Sequence, residues 1–343
     1  MKPLLNTLYV TAENSYLSKE GDQVVLKVAK EERLRVPVHT LQSIVCFGPV
    51  TVTPFMMNLA AEHGVGFSFL TENGKFLARV DGPVRGNVLL RREQYRRADD
   101  PAGSLAAARC FIVGKIANSR VVLQRALRDH GDPASEEPIT AAIKGIARVA
   151  ERLPAAQTLD EARGREGEAA DHYFGVFDHL IVAQKDFFQF KSRSRRPPLD
   201  PVNALLSFLY TLLSHDVQSA LEAVGLDPAV GFLHRDRPGR HSLALDLMEE
   251  MRPLLADRLA LTLINRQQLS PSDFRATESA GILLQDGARK TVLKAWQNRK
   301  QEEITHPWLG EKMPMGMIPH VQALLLARYL RGDYDAYPAF IWK

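Results

Sequence analysis

The sequence predicts an α+β protein in which a β-rich region of residues 1–100 precedes a mostly α-helical region of residues 101–343. Two observations support this division. Short apolar runs bounded by Gly, Pro, Asn or Asp dominate the first hundred residues, as in strands joined by turns. From Ser104 onward apolar residues recur three and four positions apart, which is typical of amphipathic helices. A chain of 343 residues is long enough for two domains with separate cores.

Five strands are expected before residue 81. They are Thr7–Thr11, Gln23–Val28, Ser43–Phe47, Gly66–Thr71 and Lys75–Val80. The last two are joined through Asn73-Gly74, a pair that supplies the positive-φ residues of a tight hairpin turn. One helix is expected among the strands, over Phe55–His63, with Pro54 in its first turn and Gly64 after its end. On so small a sheet, this helix is expected to cover one face.

Helical periodicity predicts further helices over Leu105–Leu127 and Ile139–Leu153. A capping-box pattern at Thr158 opens another helix, expected to run to about Leu180. A helix is also expected to start near Ser242, which we interpret as its N-cap. Strand-like alternation does not return convincingly after residue 100, so the domain boundary is placed there.

Composition favours a globular protein of a reducing, cytoplasmic compartment. Hydrophobic residues make up 45% of the chain and charged residues 24%, which is ordinary for a soluble protein. Cys46 and Cys110 lie in apolar runs without zinc-type spacing, so we interpret them as packing residues. The first residues lack the apolar region of a signal peptide, and no run reaches the roughly 18 apolar residues of a membrane span.

The first candidate for chemistry is Glu166, on the helix that the capping box opens. It shares one face of that helix with apolar residues such as Ala162 and Tyr173, at steps of three and four. Burying a carboxylate is unfavourable unless it is paired or binds a cation. Glu166 is therefore a ligand or catalytic group, or the partner of an arginine such as Arg163 or Arg165, or a residue at the margin of the apolar face.

A second candidate group lies between residues 231 and 250. Asp246 and Glu249 are three apart on one helix face, so both carboxylates project in the same direction and repel each other unless a cation lies nearby. His234, at the end of an apolar run, could reach the same place, whereas Glu250 is expected to face solvent. One histidine with several carboxylates suits Mg²⁺ or Mn²⁺, although each residue taken singly has an ordinary structural interpretation.

Basic residues form three clusters that could contact phosphates. They are Arg91-Arg92 with Tyr95-Arg96-Arg97, the loop Lys191–Arg196, and Arg235 with Arg237 and Arg240. The third cluster follows His234 directly, where a scissile phosphate would have to lie. The net charge of only +4 allows a polyanionic partner without requiring one. We find no other catalytic motif in the strand–turn–helix context that would support it. The motifs sought were phosphate-binding loops, the serine-hydrolase elbow, the zincin helix and dinucleotide-binding motifs.

At these residues the sequence resembles the CRISPR-associated endonuclease and integrase family of spacer acquisition. The matching stretches are Gly164–Ala170, Asp200–Asn203, Val230–His234 and Ser242–Glu249. The C-terminal stretches, Ala295–Lys300, His306–Trp308 and Tyr337–Lys343, resemble the type I-C branch. The resemblance covers essentially the whole chain, and its ordered Glu…His…Asp-x-x-Glu signature is more specific than any single motif.

The resemblance implies an N-terminal β-sandwich for dimerisation and a helical catalytic domain with one divalent-metal site. It places the metal ligands at Glu166, His234 and Glu249, with Mg²⁺ or Mn²⁺ as cofactor, and adds Asp246 as a further catalytic residue. The implied partners are DNA (a captured spacer precursor and the repeat-leader region), a second copy of the chain, and a small companion acquisition protein completing a heterohexamer. The implied reaction is transesterification, in which a fragment's 3′-OH attacks a phosphodiester at the repeat boundary.

Three alternatives remain open from the sequence. A DNA-binding scaffold with structural carboxylates would keep strand transfer after Glu166→Ala. A hydrolase of small phosphate esters would bind DNA weakly and with little dependence on salt, whereas counterion release gives a DNA-binding enzyme a steep dependence. A mobile-element integrase of common descent would be separated by neighbouring genes, namely a repeat array and a small companion gene.

Overall fold

The computed structural model describes residues 6–72, 76–80, 82, 88–129, 133–277 and 281–342. Strands concentrate at the start of the chain and helices follow, which confirms the mixed composition expected from the sequence. Two compact units are found. The first comprises Met1–Gly86, Arg289–Glu302 and Pro314–Met317, and the second comprises Asn87–Ala288, Glu303–Met313 and Ile318–Lys343.

The first unit contains two four-stranded sheets. Their strands are β1 Thr7–Val10, β2 Ser15–Glu20, β3 Gln23–Val28, β4 Glu31–Pro37, β5 Ser43–Phe47, β6 Thr51–Val52, β7 Gly66–Leu70 and β8 Phe76–Val80. One sheet has the order β1-β5-β7-β8 and the other β4-β3-β2-β6. In the first sheet β5 pairs in parallel with both β1 and β7, while β7 and β8 are antiparallel.

Residues of both sheets and of the intervening helix share one core. Leu17 of β2, Ile44 of β5 and Phe67 of β7 are buried there. Helix α1, Pro54–Glu62, contributes Met56 and Leu59 to the same core. Each methylene group buried in this way stabilises the fold by about 0.8 kcal/mol.

The five expected strands and the expected helix are all found in this unit, with ends shifted by at most one residue. Thr53 is the N-cap of α1, and its hydroxyl accepts a hydrogen bond from Met56 N. Beyond the C-terminal end of α1, Gly64 has a φ of +63°. Strands β2, β4 and β6 were missed. The turn predicted at Asn73-Gly74 lies outside the described residues.

Helices dominate the second unit. Along the chain, the helices that follow α1 are α2 Val88–Asp99, α3 Pro101–Asp129, α4 Pro133–Arg152, α5 Leu159–Gly175, α6 Pro201–Ala223, α7 Ser242–Met248, α8 Arg258–Asn265, α9 Asp286–Gln301 and α10 Ile318–Leu330. All of them belong to the second unit except α9, of which all but the first three residues belong to the first unit. A π-helical turn, Arg252–Asp257, leads directly into α8. Among the described residues no helix is both long and apolar enough to cross a membrane.

Three details differ from the expectations. The helix opened by Thr158 ends at Gly175 instead of about Leu180, and a short 3₁₀ turn follows it. Short strands do return in the second half, at Phe274–Ala276 and Ile282–Leu284, and again at Glu303–Thr305 and Lys312–Pro314. The compact units also differ from a simple division at residue 100, because α2 belongs to the helical unit and Arg289–Glu302 to the first unit.

Candidate metal centre

Asp246 holds the loop that carries His234. Its carboxylate is fully buried on α7 and accepts four hydrogen bonds. Oδ2 accepts the backbone N–H groups of Phe232 and Leu233 at 2.6 and 2.9 Å, and Oδ1 accepts His234 N and Nδ1 at 2.9 and 2.6 Å. Four donors use the acceptor capacity of one carboxylate, so Asp246 orients the imidazole and leaves Nε2 as the nitrogen available to a cation.

Gly231 makes this close approach possible. A Cβ at position 231 would lie 2.8 Å from both Asp246 Oδ2 and Ser242 Cβ, so any side chain would push the loop away from α7. Ser242 is the first residue of α7 rather than its N-cap, and its hydroxyl donates to Arg235 O at 3.1 Å. The predicted capping role of Ser242 is therefore wrong, because the hydroxyl fastens the preceding loop instead.

Glu249 lies directly after α7 and is 3% exposed. Its Oε1 is 2.7 Å from Arg252 Nη1 and 3.9 Å from His234 Nε2, and its Oε2 is 2.8 Å from Lys115 Nζ. Burial alone would raise the pKa of Glu249, but the charges of Arg252, Lys115 and His234 outweigh it and hold that pKa well below its ordinary value. Glu249 is thus an ionised carboxylate in a buried site.

Lys115, on α3, joins Glu249 to the third expected ligand. Its ammonium group also donates a hydrogen bond to Glu166 Oε1 on α5. Glu166 pairs with neither of the arginines considered from the sequence, because Arg163 pairs with Asp160 and Arg165 with Glu168. The attraction of the two carboxylates outweighs burial and raises the pKa of Lys115.

The structure thus brings His234, Asp246 and Glu249 together directly, and Glu166 through Lys115. Within the described residues, no three His, Cys, Asp or Glu side chains are close enough to hold a metal ion as they stand. The ammonium of Lys115 lies between two of the expected ligands, as a cation would.

The donor set nevertheless fits a divalent ion. Glu249 Oε2 has no hydrogen-bond donor among the described residues besides Lys115. One imidazole nitrogen and two carboxylates form the oxygen-rich set that suits Mg²⁺ or Mn²⁺.

An open cavity of about 510 Å³ adjoins Glu166. Its lining combines basic and aromatic side chains, namely Lys191, Arg193, Arg195, Arg252, Tyr173, Phe174 and Tyr210. Glu166 and the basic loop, both singled out from the sequence, therefore share one cavity. In nucleic-acid-binding proteins, basic side chains of this kind contact the phosphates, and aromatic rings stack on the bases.

Asn203 fixes the basic loop at this cavity. It is fully buried in the first turn of α6, where its backbone N–H donates to Oδ1 of the N-cap residue Asp200 at 2.7 Å. Its side chain accepts Ser194 N at 3.0 Å and donates to Ser192 O at 2.8 Å, and Arg193 also donates to it. The Asp200-Pro-Val-Asn203 stretch is thus both a helix start and the anchor of the loop.

The other two basic clusters have mixed roles. On α2, Gln94 Nε2 donates to Asp227 O and Val230 O at 2.7 and 2.8 Å, so this helix holds the segment that leads to His234. Arg97 pairs with Glu93 on the same helix. In the third cluster, Arg235 is 68% exposed and pairs with Asp160, an arrangement that contributes little to stability.

Sequence reasoning was wrong about Glu250 and missed Lys115 and Arg252. Glu250 is fully buried instead of facing solvent. Lys115 occupies a buried helix face four residues after Phe111, so an ionisable residue in an apolar stripe was the available signal. Arg252 follows Glu249 by three residues, a spacing that favours an ion pair on a helix.

Comparison with known proteins identifies relatives along the whole chain. The family model "CRISPR associated protein Cas1" matches residues 8–298. A CRISPR-associated endonuclease Cas1 of Chlorobaculum tepidum is 54% identical over 343 residues, and one of Rhodospirillum rubrum is 55% identical over 347, each covering 100% of both chains. A solved CAS1 protein from Thermotoga maritima superposes with a TM-score of 0.83 at 22% identity, covering 97% of this chain and 99% of that one.

Proposed function

This chain belongs to the CRISPR-associated Cas1 family, and from this membership we propose that it cleaves and joins DNA at the site formed by Glu166, His234 and Glu249. It is an endonuclease of CRISPR adaptation. The reaction proposed is insertion of captured fragments into a repeat array, by attack of a 3′-OH on a phosphodiester.

One observation carries the assignment of the site. Asp246 saturates its own acceptors with the 232–234 loop and His234 Nδ1, and so aims Nε2 at the side of Glu249. A carboxylate bound to the far nitrogen of an imidazole is the usual support of a metal-binding histidine. We therefore assign Asp246 to positioning, and metal binding to Glu166, His234 Nε2 and Glu249.

The residues around this set supply the remaining functions. A divalent ion bound there, Mg²⁺ or Mn²⁺, would lower the pKa of an attacking hydroxyl and offset charge on the phosphoryl group. Arg252 holds Glu249 ionised and lies on the cavity wall, where its guanidinium can also reach a phosphate oxygen. Lys191 and Arg195 line the same cavity and bind the DNA backbone, while the guanidinium groups of Arg193 and Arg252 lie over the Tyr210 ring.

Assembly belongs to the same proposal. We expect the two sheets of the first unit to form a sandwich that dimerises the chain, and two such dimers to join a small companion protein in a heterohexamer. Type I-C is the branch that the C-terminal stretches favour, and the cytoplasm is the expected compartment. The full-length match to curated relatives supports the family on which these expectations depend.

The test is half-site integration of a short duplex into a repeat-bearing plasmid, with and without Mn²⁺. We expect product from the wild type with metal, and a loss of at least 100-fold in Glu166→Ala and His234→Ala. Glu168→Ala is the matched control, because Glu168 lies on the same helix and pairs with Arg152 and Arg165 instead. Equal product from wild type and a Glu166→Ala, His234→Ala double variant would refute the proposal and favour a scaffold.

A further inference from the structure

Glu250, beside the expected ligand Glu249, is the centre of a buried hydrogen-bond network. Its Oε1 accepts hydrogen bonds from the Tyr337 hydroxyl and from Gln322 Nε2, and its Oε2 accepts Phe340 N at 2.7 Å. All three donors come from residues 72 to 90 positions later in the chain. The Glu250 carboxylate therefore connects α10 and the C-terminal segment to the backbone that follows Glu249.

The backbone of Glu250 is held as well. Asn118 Nδ2 on α3 donates to Glu250 O at 2.6 Å and to Phe340 O at 2.8 Å. Asn118 Oδ1 in turn accepts Trp342 N at 2.8 Å, and Arg125 lies over the Trp342 ring at 3.5 Å. The side-chain amide of Asn118 thus bridges Glu250 and residues 340–342. We call Tyr337 and residues 340–342 the C-terminal clamp.

Two consecutive residues of α3 face two consecutive residues after α7. A Cβ at Gly114 would lie 2.7 Å from Glu250 Cβ, so the α3 backbone packs directly on this glutamate. Lys115, the next residue, contacts Glu249 at 2.8 Å. The packing of Gly114 on Glu250 therefore sets where Glu249 lies relative to Lys115 and, through Lys115, to Glu166.

We infer that Glu250 is a positioning residue which, with the C-terminal clamp, holds Glu249 in the place from which it binds the divalent ion. The inference rests on the proposed metal-dependent function of Glu166, His234 and Glu249. Glu250 itself turns away from that site, since its oxygens are taken by Tyr337, Gln322 and Phe340. Its influence passes through the backbone that it shares with Glu249.

The network requires an acceptor at both carboxylate oxygens. In Glu250→Gln the side chain has the same shape, but its NH₂ group must face either Phe340 N–H or the Tyr337 and Gln322 donors. At least one donor then loses its acceptor and the clamp loosens. Tyr337→Phe is the milder change, because it removes one hydroxyl and leaves the other contacts in place.

The experiment uses the full-length protein without DNA and measures Mn²⁺ binding by calorimetry and by the electron paramagnetic resonance of the bound ion. Supports of metal ligands typically contribute 10- to 100-fold to affinity, so we expect Glu250→Gln to weaken Mn²⁺ binding at least 10-fold and Tyr337→Phe by less. Excess Mn²⁺ should restore DNA cleavage in both. Tyr329→Phe is the control, because Tyr329 is equally buried on α10 but packs against Arg97.

A thermal melt in EDTA confirms folding before binding is compared. Wild-type Mn²⁺ affinity and an unchanged resonance spectrum in both Glu250→Gln and Tyr337→Phe would overturn the inference and leave Glu250 a purely structural group. If Glu250→Gln does not fold, the result for Tyr337→Phe alone decides. Failure of the underlying function is distinguishable, because Glu166→Ala would then also bind Mn²⁺ and cleave DNA like the wild type.

Discussion

Replacing Lys115 with methionine tests whether its ammonium occupies the place of the divalent ion. Methionine keeps most of the apolar stem and removes the charge that contacts Glu166 and Glu249. At 2.8 Å and an effective dielectric of about 20, one such contact has a Coulomb energy of about 6 kcal/mol before desolvation is subtracted. Because breaking a buried pair typically costs about 3–5 kcal/mol, we expect the metal-free variant to be destabilised by about 3 kcal/mol.

The diagnostic result is the response to metal. A loss of about 3 kcal/mol lowers the Tm by roughly 6–12 °C in a unit of this size. Saturating Mn²⁺ should raise the Tm of Lys115→Met by more than that of the wild type, because in the wild type the ion competes with the ammonium for the same carboxylates. Thermal melts over a Mn²⁺ titration starting from EDTA measure both effects.

Lys191→Met is the matched control, because Lys191 lines the same cavity and is exposed. Its Tm and its Mn²⁺ response should match the wild type. A Mn²⁺-induced rise in Lys115→Met that is equal to or smaller than the wild-type rise would refute the reasoning. Lys115 would then support the fold without standing in for the metal.

Two further predictions concern the buried carboxylates of Asp246 and Asp257. Asp246→Asn places an NH₂ group among four donors, so we expect it to weaken Mn²⁺ binding by about 10- to 100-fold through a misaligned His234, as calorimetry would show; wild-type affinity would contradict this. Burial raises the pKa of Asp257 to about 6, although Tyr210 and Tyr173 donate to it at 2.7 and 3.0 Å. A raised pKa favours the protonated folded form, so the contribution of Asp257 to stability is present below about pH 4 and is lost as the pH rises through 6, by about 3 kcal/mol. Urea unfolding in EDTA should therefore show the difference between wild type and Asp257→Asn declining by about that amount from pH 4 to 7, and a constant difference would contradict the assignment.

The strands that were predicted correctly are those with a run of apolar residues, which indicates from the sequence alone that the segment is buried. Gln23–Val28 and Ser43–Phe47 were predicted with their exact bounds, because β-branched and aromatic residues there are flanked by turn residues. Strand β4, Glu31–Pro37, was missed since charges occur on both of its faces and none of its residues is buried. It pairs along β3, and that partner is what makes it a strand.

The site shows the same limit. His234, Asp246 and Glu249 lie within sixteen residues, so helix geometry and a short loop were enough to place them together. Lys115 reaches Glu166 from 51 residues away, and periodicity within one helix carries no information about such a contact. The family resemblance named Glu166, His234 and Glu249 as the expected ligands but said nothing of the Lys115 ammonium that lies between Glu166 and Glu249.

Glu249 and Glu250 show why neighbouring residues of one type take opposite roles. Glu249 faces three basic groups, which lower its pKa despite burial, whereas Glu250 faces neutral donors, and burial raises its pKa to about 7. Both are buried, so burial alone cannot explain the difference. The sign is set by the charge of the partners: Arg252 and Lys115 keep Glu249 ionised, and an ionised carboxylate is what a divalent cation binds. The neutral donors around Glu250 occupy both of its oxygens, and this is the physical reason for proposing Glu249 as the metal ligand and Glu250 as the residue that positions it.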